Sequence, residues 1–499
     1  MQNTMKPSDA RAYAENVNWK LSGLGFLNGW VYSAFFTDAL IPLSDERSAF
    51  LGLFWITSLL SVSLGLLATL LLYNFLRPLL NSKAAQYVSG SCVSLGSIGI
   101  ALANAFGGEA WALVGFLGAA LTGLGAAFLY TLWGILYCSA RRDETEQIMP
   151  VAMLIAMLVT LLMFLLRGWG TVVLVAALPL VSIFMYRENI GSRFSDIHSE
   201  DAQCGKPARR QEFRQGSQTK PKWSGSLIRA ALPIFILWVV YTFLRESVFS
   251  SSVQNYSMSY FPAIATGVLV AMISLVFYIS NARSLTFLSI YKLVIPLTFL
   301  SMLLVLLLDT PHISVSYSFS FASLLLFDAY IWLLCPVLYQ GKRGSLINSA
   351  ILLRFAVQFG GFVGALLAPF LLDFDRTLVI PALMTILAST VFITLPEQGL
   401  KSAFEESAAC VNVDSRTPED AYGEKTKLLA VSYGLSNRET EILGYLVKGR
   451  DLPYIRDTLY ISRNTVNTHI KHIYTKLGIH TKQELIDLFE ATKSGSKEI

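Results

Sequence analysis

A series of long apolar segments between residues 21 and 395 constrains the fold of this chain more than any other feature. A bilayer core about 30 Å thick requires roughly 20 apolar residues per spanning helix. The sequence predicts twelve such spans, near residues 21–42, 50–73, 85–106, 110–137, 148–166, 169–186, 229–249, 259–281, 286–308, 313–340, 346–372 and 376–395. Because the chain is 54% hydrophobic and only 15% charged, we expect an integral membrane protein. The first apolar run has the length of a full span, so no cleavable signal is predicted.

A polar stretch at residues 187–222 divides the predicted spans into two sets of six. The predicted organisation is a membrane half at 1–186, a basic cytoplasmic loop at 187–228, a second membrane half at 229–395, a linker at 396–431 and a soluble tail at 432–499. Lys and Arg are concentrated in the N-terminal segment, the central loop and the loops on the same side, whereas the opposite loops offer only Arg47, Arg167 and Arg376. This asymmetry predicts a multi-pass protein of the cytoplasmic (inner) membrane, in contact with lipid, with both termini cytoplasmic.

Twelve spans in two sets, a basic central loop and short outer loops resemble the major facilitator superfamily. That resemblance implies two six-helix halves about a central cavity. The loop after the second span, NFLRPLLNSK, keeps basic residues but lacks the glycine- and aspartate-rich signature of those transporters. The architecture is therefore expected without an expectation of active transport.

The tail has the pattern of four short helices. Ser436 with Glu439 forms a capping box that starts the first helix, which we expect to end at Gly449. The second helix is predicted at 452–459, and Ser462 is predicted to cap the third. Gly478 is expected to end the third helix, and Thr481 with Glu484 forms the capping box of the fourth. The predicted fold class is thus all-α throughout, with a membrane bundle followed by a four-helix tail.

The third tail helix has one apolar and one polar face. Val466, Ile470, Ile473 and Leu477 form a stripe that should pack inward, while the opposite face carries Asn464, Asn467, Thr468, Lys471 and Thr475. No acidic residue occurs between Asp457 and Glu484, whereas Arg463, Lys471, Lys476 and Lys482 are present. Amide and basic side chains on an outward helix face can read base edges in a major groove, and clustered cations favour phosphates. The order of helices is that of a helix-turn-helix DNA-binding domain.

The tail resembles LuxR-type (NarL-type) regulators over about 55 residues. The matching residues are Leu435, Arg438, Glu439, Ile442, Leu443, Gly449, Ile455, Leu459, Ser462, Thr465, Val466, His469, Ile470, Ile473, Tyr474, Lys476, Leu477 and Gly478. The resemblance implies that Asn467, Thr468 and Lys471, with Asn464 on the same face, meet bases. It also implies that Arg463, Thr465 and Lys476 contact phosphates or organise those contacts, and that the final helix pairs two heads on double-stranded DNA. The chain has Asn467 where the family usually has Lys, and Arg456 where it usually has a small residue.

Ionisable residues inside predicted spans are the candidates for a ligand-binding cavity. They are Asp38 in the first span, Arg245 and Glu246 in the seventh, Asp328 in the tenth and Arg354 in the eleventh. Each is costly in a membrane unless it is paired or wetted. Asp328 and Arg354 lie at depths that differ by about 6 Å, so they are expected to form a pair. A ligand-sensing cavity and a structural ion-pair network remain alternative interpretations.

These features favour a bacterial one-component transcription regulator in which the membrane domain senses a small molecule or a membrane state. An enzyme is not expected and no cofactor is predicted. The five cysteines are scattered without paired spacing, so neither a disulfide framework nor a zinc site is indicated. The alternatives are a secondary transporter with a regulatory DNA-binding tail and a DNA tether that carries no signal. The sequence identifies neither the ligand nor the operator.

Overall fold

The computed structural model describes residues 17–41, 50–140, 142–203, 225–251, 256–280, 287–308, 313–340, 346–394, 426, 429–430, 432–447, 451–459 and 462–491. Every regular element in these ranges is a helix, which confirms the all-α fold class. The chain divides into two compact units, Met1–Phe404 and Glu405–Ile499, and each is described by itself.

The first unit is a bundle of thirteen described α-helices after a short 3₁₀ helix at Trp19–Ser22. The helices are α1 (Gly23–Phe36), α2 (Leu51–Leu71), α3 (Tyr73–Asn81), α4 (Lys83–Phe106), α5 (Gly108–Ser139), α6 (Arg142–Leu165), α7 (Trp169–Gln203), α8 (Gly225–Ser251), α9 (Tyr256–Ser280), α10 (Phe287–Leu307), α11 (Ile313–Gln340), α12 (Leu346–Leu372) and α13 (Arg376–Thr394). Among the described residues, eight helices contain a segment long and apolar enough to cross a membrane, and two shorter apolar helices accompany them. The unit is therefore a helical membrane domain, and the count of twelve spans stays a prediction.

Three local features differ from the predicted boundaries. Helix α1 ends at Phe36, so Asp38 lies in the turn after the helix and not inside the first span. The loop expected after the second span contains the short amphipathic helix α3. Helix α7 continues to Gln203, so the first part of the predicted basic loop is helical. The loss of hydropathy at Arg187 ends the apolar segment but not the helix, since Glu, Arg and Ser tolerate helical backbone.

The packing of the bundle repeats in its two halves. In the first half α1 packs against α6 and α7, α4 against α5 and α7, and α2 against α5. In the second half α8 packs against α12 and α13, α10 against α11 and α13, and α9 against α11. The halves meet where α2 contacts α12 and where α6 contacts α9. Each of these contacts in the first half thus has a counterpart in the second, so α1, α2 and α4–α7 pack in the same pattern as α8–α13.

Glycines allow the closest helix pairs to approach. A Cβ at Gly96 of α4 would meet the backbone oxygen of Gly118 in α5 and lie 2.8 Å from Cγ2 of Thr122. In α12, Gly364 faces the backbone of Val239 in α8 in the same way. The glycine-rich stretches in α5 and α12 therefore serve close helix packing.

The second unit contains a small helical head with its own core. Its helices are α14 (Asn437–Val447), α15 (Leu452–Leu459), α16 (Arg463–Leu477) and α17 (Lys482–Ala491). The core consists of buried side chains from all four helices and from Leu429 and Ile479. Residue 449, where α14 was expected to end, lies outside the described residues, as does most of the predicted linker at 396–431.

Candidate DNA-binding surface and buried polar site

Local hydrogen bonds fix both ends of helix α16. The Ser462 Oγ accepts a hydrogen bond from the Thr465 amide at 3.1 Å, which satisfies one of the unpaired donors of the first turn. At the other end Gly478 adopts φ 69°, a left-handed conformation that glycine takes without steric cost. Both capping predictions are confirmed.

The two faces of α16 are divided as the sequence pattern predicted. Val466, Ile473 and Leu477 are buried in the head core, and Ile470 packs against it half-buried. The outward face exposes Arg463, Asn464, Thr465, Asn467, Thr468, Lys471 and Thr475. Two hydroxyls of this face donate within the helix, from Thr468 to the Asn464 carbonyl and from Thr475 to the Lys471 carbonyl. The exposed side chains thus form one polar strip, which we call the α16 face.

Lys476 is oriented differently from the other predicted contact residues. Its Nζ donates to Glu439 Oε2 at 2.7 Å and to the Gly434 carbonyl at 3.1 Å. Glu439 is 4% exposed and also accepts the Ser436 amide at 2.7 Å, so it closes the predicted capping box of α14. These bonds hold the pKa of the Glu439 carboxyl at about 2, far below its usual value, chiefly through Lys476. Lys476 therefore joins α16 to α14, while its own side chain stays 39% exposed.

The arginine of α15 that departs from the usual family pattern does not disturb the head. Arg456 is exposed, while the neighbouring Ile455 is fully buried in the core. Arg438, which does match the family pattern, donates to the Leu459 carbonyl at 3.0 Å and so binds the end of α15. No cluster of metal-ligating side chains is found among the described residues.

The membrane domain contains a buried ion pair between two of the predicted residues. Arg354 Nη1 of α12 donates to Asp328 Oδ1 of α11 at 2.6 Å, and the two side chains are 3% and 8% exposed. Asn28 of α1 donates to the second oxygen of Asp328 at 3.1 Å. The Arg354 guanidinium lies over the rings of Trp332 and Tyr130, at 3.9 and 5.0 Å from their centres. We call this group the Arg354 site.

A second buried arginine occupies another position in the domain. Arg245 of α8 bonds the adjacent Glu246 and donates through Nη2 to the Phe35 carbonyl at 3.0 Å. Its guanidinium lies about equally far from the rings of Phe36 and Trp55, at 5.0 and 4.9 Å. The structure therefore separates the five candidates into an Asp328–Arg354 pair and an Arg245–Glu246 pair, with Asp38 on the turn after α1.

Sequence reasoning missed the partners that complete the Arg354 site. The sequence could have indicated Asn28 as a partner of a buried polar group, because an amide inside an apolar span needs a hydrogen-bonding partner. Trp332 and Tyr130 gave no signal, since aromatic residues are common in apolar helices. Only the packing of α5 and α11 around α12 brings their rings to the guanidinium.

Fold and site together define a helical membrane domain joined in one chain to a helix-turn-helix head. Residues 433–489 match the family of bacterial regulatory proteins called the luxR family, so the head is a luxR-type DNA-binding domain. This domain and the apolar bundle are fused in a single polypeptide.

Curated relatives match the chain in the head. The Fimbriae Z protein of Escherichia coli (strain K12) is 53% identical over 53 residues, which are 11% of this chain and 25% of that protein. The oxygen regulatory protein NreC of Staphylococcus aureus (strain JH9) is 45% identical over 53 residues, 11% of this chain and 24% of that protein. The chain thus spans about a quarter of the length of these relatives. Among solved structures, the nucleoside transporter NupG aligns with 15% identity and a TM-score of 0.38, over 76% of this chain and 98% of that chain.

Proposed function

We propose that this protein is a membrane-embedded one-component transcription regulator. The observation that carries the proposal is the fusion of a luxR-type head, with its exposed α16 face, to a bundle of apolar helices. The two units together match a regulator that binds promoter DNA from the cytoplasmic membrane. Signal input then comes from the membrane domain, which takes up a small molecule or responds to a membrane state.

The α16 face is the proposed DNA-reading surface. Asn467, Thr468 and Lys471, with Asn464, meet base edges, and Arg463 and Thr465 lie toward phosphates. An amide such as Asn467 pairs well with adenine, and Lys471 suits guanine acceptors. Lys476 organises the head through Glu439 and is not assigned a phosphate. Two heads pair through α17 on a promoter with two half-sites.

The Asp328–Arg354 pair is the proposed switch of the membrane domain. It joins α11 to α12, and Asn28 adds α1 from the other half of the bundle. A ligand that weakens this pair changes how the two halves are held together. Such a two-state element is what a ligand needs in order to shift a conformational equilibrium.

Promoter output from the full chain tests the switch. Asp328→Asn leaves Arg354 without its counter-ion, at a cost on the order of 3 to 5 kcal/mol, and so should make output independent of the inducing signal. Asp328→Asn combined with Arg354→Gln should restore part of the response. The matched control is Ser316→Ala, which removes another buried interhelical hydrogen bond, to the Ser301 carbonyl, without a charge. It should respond like the wild type.

Two further measurements accompany the assay of promoter output. Equal protein levels in membranes show that a variant is present, and DNA binding by the head should be the same in all variants. If both Asp328→Asn and Arg354→Gln respond as the wild type does, the pair has a structural role and the switch is wrong. If variants with a defective α16 face still control the promoter, the regulator proposal itself fails, and a transporter with a regulatory tail becomes the better interpretation.

A further inference from the structure

The Arg354 site has a guanidinium that uses only part of its hydrogen-bonding capacity. Nη1 binds Asp328, but Nε and Nη2 find no partner among the residues that the structure describes, although Arg354 is only 2% exposed. Buried donors are nearly always satisfied, because a missing hydrogen bond in an apolar interior is costly. Nε and Nη2 lie along one edge of the planar group and point in parallel. This edge can therefore donate two parallel hydrogen bonds to a single acceptor group.

A third unmatched donor belongs to the same site. Trp332 is fully buried, and its Nε1 has no hydrogen-bond partner in the described part of the chain. The indole is the ring that the Arg354 guanidinium covers at 3.9 Å. All three unmatched groups are donors, while both oxygens of Asp328 already accept. A ligand that satisfies these three donors must therefore carry acceptor oxygens.

We propose that the membrane domain binds a small carboxylic acid, whose carboxylate pairs with Nε and Nη2 of Arg354 and accepts a further bond from Trp332 Nε1. Two oxygens in one plane match the edge of a guanidinium in a bidentate pair, which a single carbonyl cannot do. The rings of Tyr130 and Trp332 beside Arg354 favour an apolar remainder of the molecule. The inference rests on the proposed sensing function, for which it names the class of ligand.

Binding of the acid acts directly on the Asp328–Arg354 pair, which is the proposed switch. A second carboxylate at the guanidinium repels Asp328 and competes with it for the same positive charge. Binding thus weakens the link between α11 and α12 that the proposed switch depends on. A neutral amide of the same shape lacks this charge and leaves the link in place.

Thermal unfolding of the full chain in lipid nanodiscs tests the proposal. The probes are sodium formate, acetate, propionate and butyrate, each compared with its primary amide and with sodium chloride at equal ionic strength. Formate is the smallest carboxylate and fits the free edge whatever the natural ligand adds to it. The acids should raise the unfolding midpoint in a saturable way, and the amides and chloride should not.

Two variants assign the binding to the proposed atoms. Trp332→Phe keeps an aromatic ring under Arg354 but removes Nε1, so the Kd for the acids should rise about tenfold, as expected for a lost bond to a charged group. The matched control is Trp238→Phe, which removes another buried, unmatched indole N–H. The Trp238 ring meets Tyr241 edge to face and is not covered by Arg354, so this variant should leave the Kd unchanged. Arg354→Lys keeps the charge beside Asp328 without the two-pronged edge and should abolish the preference for acids over amides.

The outcomes separate the ligand class from the sensing function. Equal shifts with acids and amides, no shift with any acid, or equal affinities in wild type and Trp332→Phe would each overturn the carboxylate proposal. If acids bind as expected but leave promoter output unchanged, the site stands and the sensing function fails. If Asp328→Asn alters promoter output while acids fail to bind, the regulator stands and its ligand belongs to another class.

Discussion

Glu439 is a buried carboxylate that connects the first turn of α14 to α16. It accepts the Ser436 amide, pairs with Lys476 and lies 3.9 Å from Nδ1 of His472. A charged group removed from water is stabilising only while these partners remain. The residue therefore couples the first turn of α14 to the end of α16, and through it to the placement of the α16 face.

The stability of the head should depend on the charge of Glu439. Its pKa is lowered from 4.5 to about 2 in the folded head, so its contribution is fully present above pH 4.5 and is lost as the pH falls from there toward 2. Glu439→Gln should reduce the free energy of unfolding at pH 7 by about 1.5 to 3 kcal/mol and flatten this acid dependence. Denaturant unfolding of residues 405–499 between pH 2 and 7 measures both. An unchanged acid dependence in Glu439→Gln would contradict the assignment.

A change at Lys476 tests the same ion pair from its other partner. Lys476→Met should destabilise the head, because it leaves the buried Glu439 without its main counter-ion. Under conditions where the variant is folded, the slope of DNA affinity against salt should stay that of the wild type. A slope reduced by about one unit would instead return Lys476 to the phosphate contacts.

Substitutions on helix α16 should distinguish residues that contact bases from residues that contact phosphates. Lys471→Ala should weaken binding to the specific site by about 1 to 3 kcal/mol and leave non-specific binding nearly unchanged. Arg463→Ala should weaken binding to all sequences and reduce the salt slope by about one unit. Binding isotherms of the 405–499 fragment at several salt concentrations measure both effects. The same loss in both variants on every sequence would show that the α16 face does not read bases.

The close contact between α4 and α5 depends on the lack of a side chain at Gly96. Gly96→Leu would place carbon atoms against the Gly118 backbone and Thr122, so the helices must separate at a cost of about 1 to 3 kcal/mol or more. Gly52→Leu is the matched control, because a Cβ at Gly52 meets nothing within 4 Å. Thermal unfolding in detergent should show a lower midpoint for the first variant alone. Equal midpoints would mean that the two helices pack less closely than described.

The charges of the loops predict the topology of the whole chain in the membrane, and reporter fusions can test it. Reporter fusions at residues 205 and 499 should report the cytoplasm, and a fusion at residue 255 should report the exterior, since Lys and Arg are concentrated on one side. The repeated packing of six helices in each half is compatible with an even number of crossings. An exterior signal from the fusion at 499 would end the regulator proposal, because the head could not reach DNA.

Most local features of this protein could be predicted from the amino-acid sequence alone. Apolar runs gave most helices in the membrane domain, since length and hydropathy are properties of one segment. The caps at Ser436, Ser462 and Gly478 and the buried stripe of α16 depend on neighbours within a few residues, and each was predicted. Even the Asp328–Arg354 pair was predicted, because the two residues lie at similar depths in neighbouring spans and a charge in an apolar interior needs a partner.

The tertiary structure alone decided which distant groups complete each site. Lys476 meets Glu439 across 37 positions of sequence, so a lysine that the family resemblance assigns to phosphate contacts also pairs with a buried carboxylate of the head. Asn28 reaches Asp328 across 300 positions, and Trp332 and Tyr130 cover Arg354 only because α5, α11 and α12 pack together. The unmatched edge of the guanidinium likewise exists only in the assembled bundle. Hydrogen bonds are short-ranged and directional, so their pairing is set by the packing of helices and not by the pattern of any one segment.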